Sequence, residues 1–123
     1  MAQPVAGAVP EISSIEVQKA GKAGRDVYIG SYITVDRTCK VGPTPKVEFT
    51  TQPKNGKLRT LPDAMNLTQA PGIPRNKCLG VSPTGIAIRY RSNPRFKGDD
   101  TFVYMVTYPD GRQREVKGTV TIQ

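Results

Sequence analysis

The sequence predicts an all-β fold, an antiparallel sandwich of about seven short strands in one domain. Three observations carry that reading. Apolar residues alternate with polar ones over short runs, the period of a pleated strand with one buried face. Eleven prolines and twelve glycines are spread along 123 residues, as tight turns between many strands require. No segment holds a helical period beyond a single turn near 63–67.

Residues 1–11, "MAQPVAGAVPE", read as a loose leader with neither the charged start nor the apolar core of an intact signal peptide. The domain proper spans 12–123. "SSIEVQ" alternates, with Ile15 and Val17 on one side. "DVYIGSYITV" places Val27, Ile29, Ile33 and Val35 on one face and Tyr28 and Tyr32 on the other, so both faces of this strand are expected to be covered. "KVEFTT" points Val47 and Phe49 together. The Asn55-Gly56 pair in "QPKNGKL" is the signal of a two-residue hairpin, whose central positions both need φ > 0.

The 60–84 stretch carries Pro62, Pro71, Pro74 and Pro83 and little periodicity, which predicts one long irregular loop. "GIAIRYR" then sets Ile86, Ile88 and Tyr90 inward and Arg89 and Arg91 outward. "TFVYMVTY" aligns Phe102, Tyr104, Val106 and Tyr108. A turn at Pro109-Asp110-Gly111 leads to "REVKGTVTI", with Val116, Val120 and Ile122 aligned.

Hydrophobic residues make up 37% of the chain, enough for one core and too many for a disordered polymer. No apolar run approaches the roughly 20 residues of a membrane helix, so no transmembrane segment is expected. The charge is lopsided: 18 Lys and Arg against 10 Asp and Glu, a net +8. Between residues 37 and 97 the only acids are Glu48 and Asp63. Such a field favours anionic partners.

Cys39 and Cys78 both sit in loop-like contexts, "DRTCKVGP" and "PRNKCLGV". Their expected pairing is one disulfide, which ties down the long loop and implies an oxidising compartment. Closing about 40 residues stabilises a fold by roughly 4 kcal/mol in the chain-entropy model.

Phe96, Gly98, Asp100, Phe102 and Tyr104, followed by Asp110-Gly111, read F-x-G-x-D-x-F-x-Y and then a D-G turn. This run resembles the closing hairpin of bacterial Ig-like and cadherin-like repeat modules of exported proteins. "QPKNGKL" is similar to their P-x-N/H-G-x-L/V hairpin, and "IRYRSNPRFKGDD" to the segment that precedes their closing strand. The likeness covers 46–56 and 86–122. The 123 residues hold one such unit rather than a tandem, and they depart from the pattern in the cysteine pair and the long 60–84 segment. The resemblance implies an Ig-like sandwich and a periplasmic or extracellular setting in a bacterium, and says little of activity. Gly98 is expected at a turn a side chain would obstruct. Asp100 is expected to accept backbone N–H groups of the corner just before it, with Asp99 solvated or paired to a Lys or Arg.

The chain has no histidine, so it holds no Ser-His-Asp triad, no Cys-His pair and no imidazole ligand. No phosphate-loop glycine pattern and no C-x-x-C are present. Ten scattered carboxylates place no glycosidase pair. Asp99, Asp100 and Asp110 are the only acidic concentration, and Arg95, Lys97 and Arg112 oppose a divalent cation there. No catalytic residue, metal or cofactor is therefore assigned.

The basic residues are the better lead. Three groups stand out: Arg89, Arg91, Arg95 and Lys97; Lys54, Lys57 and Arg59; Arg75 and Lys77. If they converge they would dock an anionic polysaccharide, another envelope component or a negatively charged partner protein. Nucleic acid is disfavoured, because aromatics for stacking bases are few. The alternatives are an enzyme inhibitor acting through the Pro-rich loop, and a structural subunit of an envelope complex joined at an edge strand.

Overall fold

A computed structural model describes residues 12–34, 40–64 and 84–123. The Cys39–Cys78 pairing, and the exported location inferred from it, rest on residues outside these. So do the leader, Arg75, Lys77, Val35 and the 65–83 part of the long segment.

The described chain is all-β. Its seven strands are β1 (Ile12–Gly21), β2 (Asp26–Tyr32), β3 (Lys46–Thr51), β4 (Gly56–Ala64), β5 (Thr84–Ser92), β6 (Gly98–Thr107) and β7 (Gln113–Ile122). They form a four-stranded sheet in the order β1-β7-β6-β3 and a three-stranded sheet in the order β2-β5-β4. All pairings are antiparallel except β1 with β7, which is parallel and corrects the wholly antiparallel expectation.

One buried cluster joins the sheets. Val27, Ile29, Leu58, Ile88 and Tyr90 of the smaller sheet meet Phe102, Tyr104, Val106, Val116, Val120 and Ile122 of the larger. Alternation is the cause: on β6 and β7 every second residue is buried. Phe102 and Tyr104, singled out for this role, are 1% and 0% exposed. Their rings stack, with centroids 6.1 Å apart, and Phe102 stacks in turn on Tyr90 at 6.4 Å. Gly118 lies opposite Phe102, and a Cβ there would stand 2.1 Å from the ring.

Four expectations change. The Asn55-Gly56 pair does not close a two-residue hairpin, because β3 and β4 belong to different sheets. Gly56 opens β4 without a positive φ; it is needed because a Cβ would lie 2.6 Å from the Arg91 carbonyl and 2.8 Å from the Tyr90 ring. The irregular segment starts later than predicted, since β4 runs through Pro62 and Asp63 to Ala64. Pro62 fits because β4 is an edge strand, where a missing N–H breaks no ladder bond. The turn expected near 63–67 is therefore strand at Asp63 and Ala64.

β2 differs most. It is also an edge strand, ending at Tyr32, and Tyr28 is 43% exposed rather than covered. The register steps from Tyr28↔Arg89 to Gly30↔Ile88, so Ile29 is an extra residue and a bulge. The bulge reverses the phase of the strand beyond it. Tyr32 turns inward, away from Tyr28, and its hydroxyl meets that of Tyr104 at 2.6 Å. Burial, opposed by that bond, pushes the Tyr32 hydroxyl above its usual range.

Candidate anion-docking face

Asp100 is positioned where β6 begins, two residues after Gly98, whose φ of 121° only glycine adopts readily. The side chain is almost fully buried and takes three hydrogen bonds. Lys54 N donates to Oδ1 (3.1 Å), and Asn55 N and the Tyr90 hydroxyl donate to Oδ2 (3.0 and 2.7 Å). Asp100 is thus a corner acid, but the corner is the β3–β4 crossover rather than the 93–97 turn just before it. Burial first, and then this carboxylate, raise the Tyr90 hydroxyl well above its usual range. Asp99 points the other way and accepts from the Thr121 hydroxyl (2.7 Å).

This clamp draws three connections together. Asn93 N bonds Asn55 O (2.8 Å), and Gly24 N bonds the Ser92 hydroxyl (3.2 Å). The 22–25, 53–55 and 93–97 connections therefore share one end of the domain. Lys54, Arg95 and Lys97 are exposed there, and Lys22 and Arg25, which sequence reasoning passed over, join them.

The second basic group lies on the outer face of the three-stranded sheet. β5 is the central strand, and the register sets Arg89 between Tyr28 and Arg59, and Arg91 between Asp26 and Lys57. Residues directly opposite share a face, so six side chains form two adjacent rows. Arg59 and Arg91 both bond Asp26, the latter through Nε at 2.9 Å. Partial desolvation of Asp26 works against ionisation, but the Arg91 hydrogen bond and both guanidinium charges outweigh it and hold the carboxyl below its usual range. Among the described residues Arg89 has no acid partner; its guanidinium lies 5.7 Å from the centre of the Tyr28 ring, with Lys19 Nζ at 6.0 Å.

The two groups meet. The Asp26–Arg91–Lys57 row is the one nearest the loop end, since Gly56 pairs with Ser92 in the next register position. Seven of the nine proposed binding residues thus fall on one face and its adjoining end; Arg75 and Lys77 lie outside the described residues. Asp26, Tyr28, Ser31 and Asp63 were missed because each reaches this surface only through strand pairing, and Lys19 because it comes to Tyr28 from the edge of the other sheet.

Elsewhere, Asp110 accepts from the backbone and side chain of Arg112 inside its own turn (3.0 and 2.7 Å), at the far end of β6 from Asp99. The three acids weighed for calcium are therefore apart, and no metal-ligating group of three His, Cys, Asp or Glu occurs among the described residues. No described helix is long and apolar enough to cross a membrane. The outer edge of β4 is poorly suited to adding a strand. Leu58 N turns away from β5 to Gln52 Oε1 (3.4 Å), and Pro62, in the same orientation, has no N–H. Compared with protein-family models, curated proteins and solved structures, the chain matches none.

Proposed function

We propose that the chain is a non-catalytic Ig-like module that holds an anionic polymer across the outer face of its three-stranded sheet and the adjoining loop end. One observation carries the reading. Two like-charged pairs, Arg59↔Arg89 and Lys57↔Arg91, stand directly opposite one another on adjacent rows, with Asp26 as the acid between them. Like charges in that position destabilise a sheet. A surface selected for stability alone would alternate signs, so four cations on two facing strands suit an external counter-charge. The orders β7-β6-β3 and β2-β5-β4 support the Ig-like part, being the two-sheet division of that fold with the first strand beside the last.

The test is retention on immobilised heparin, a dense polyanion. The chain should elute at elevated salt, and Arg59→Glu with Arg89→Glu should lower its affinity by at least about tenfold, as loss of two contacts with charged groups implies. Elution of the double variant at the same salt as the parent overturns the proposal.

A further inference from the structure

We infer that the polymer is an acidic polysaccharide in which hydroxyl-rich neutral sugars separate the acidic ones, a deepening that rests on the proposed function. The ground is what adjoins the cations. Beyond the Tyr28–Arg89–Arg59 row, the face changes character. The Tyr28 hydroxyl donates to Ser31 Oγ (2.8 Å), and Ser31 Oγ donates to Asp63 Oδ2 (3.0 Å). Ser31 pairs with Ala87, and Asp63 with Gly85, so this chain of polar groups continues the same outer surface. Asp63 Oδ1 accepts no hydrogen bond among the described residues.

A ligand spanning this surface meets four cations and then, one or two rows further, a carboxylate beside hydroxyls. Successive rows lie about 7 Å apart along a strand, somewhat more than the step of one sugar unit. A uniformly charged chain without hydroxyls, such as polyphosphate or a DNA backbone, carries its next negative charge onto Asp63 and has no hydrogen to offer it. A sugar hydroxyl is uncharged and carries a hydrogen. It donates to Asp63 Oδ1, while an acidic neighbour sits at Arg89 and Arg59.

The experiment compares hyaluronan oligosaccharides, which alternate acidic and neutral sugars, with sodium polyphosphate of matched total charge, by calorimetry on the parent and two variants. Arg89→Gln should weaken both. Asp63→Asn should weaken hyaluronan about fivefold, the loss of one hydrogen bond to a charged acceptor, and should tighten polyphosphate. Asn keeps the shape of Asp, and the melting temperature of the variant checks that the fold is retained. If Asp63→Asn tightens both polymers, the saccharide inference falls while the anion-binding reading stands. If Arg89→Gln changes neither, the anion-binding reading itself falls.

Discussion

Asp100 and Asp26 are both aspartates within reach of several donors, yet they serve opposite ends. Asp100 is 3% exposed, and its three donors are uncharged: two successive backbone N–H groups of one connection and the hydroxyl of a core tyrosine. Asp26 is exposed, and its partners are two guanidiniums on neighbouring strands. A buried carboxylate satisfied by fixed backbone N–H groups defines where the chain goes. A solvated one shared between mobile cations only moderates a field that water and salt already screen. The corner is architecture; on the proposed function, the face exchanges Asp26 for a ligand anion.

The largest effect that would break this contrast is Asp100→Ala. Lys54 N, Asn55 N and the Tyr90 hydroxyl would lose their acceptor, at a cost of about 4 kcal/mol. That corresponds to a fall of roughly 15 °C in a thermal melt. A melt indistinguishable from the parent would remove the clamp. Tyr90→Phe takes away one donor and leaves the ring stack intact, so urea denaturation should show a loss of about 2 kcal/mol. A larger loss would mean that the hydroxyl organises the whole corner.

Asp26→Asn is the smallest in stability and the most informative for binding. It frees Arg59 and Arg91, so elution from heparin should move to higher salt. Its pH dependence has a fixed sign. The native carboxyl titrates below its unfolded counterpart, so Asp26 contributes stability above the unfolded value and loses it as pH falls through the native one. The difference between parent and variant should therefore be present at neutral pH and vanish in acid, below the usual carboxylate range. A difference that grows on acidification would show that Asp26 is not paired as described.

Much of the fold was legible because alternation is a local signal. The inward sets on β5, β6 and β7 follow from the period of two, and so does the outward placement of Arg89 and Arg91. What failed were features decided at a distance. Asn55-Gly56 carries hairpin chemistry, but which sheet receives β4 depends on burial of Leu58 against the far strands. Ile29 is unremarkable in sequence, and only pairing with β5 reveals the bulge that separates Tyr28 from Tyr32. Pro62 marks a break unless the strand is known to lie at an edge. The cations of the site were visible as a count, whereas Asp26, Ser31 and Asp63 acquire meaning only from the strands beside them. The backbone donors to Asp100 could not be read from its own neighbourhood, because they lie 45 and 46 positions away.

The parallel pairing of β1 with β7 bears on mechanical load. Ten residue pairs, from Ile12↔Gln113 to Gly21↔Ile122, run in one direction, and Gln123 N adds a bond to Gly21 O (3.0 Å). Tension applied to the start of β1 and the finish of β7 acts along the two strands and slides them past each other. All ten contacts then resist at once, instead of peeling open singly as an antiparallel pair pulled from one end would. A tether strung through this domain is held by a shear joint at its two termini.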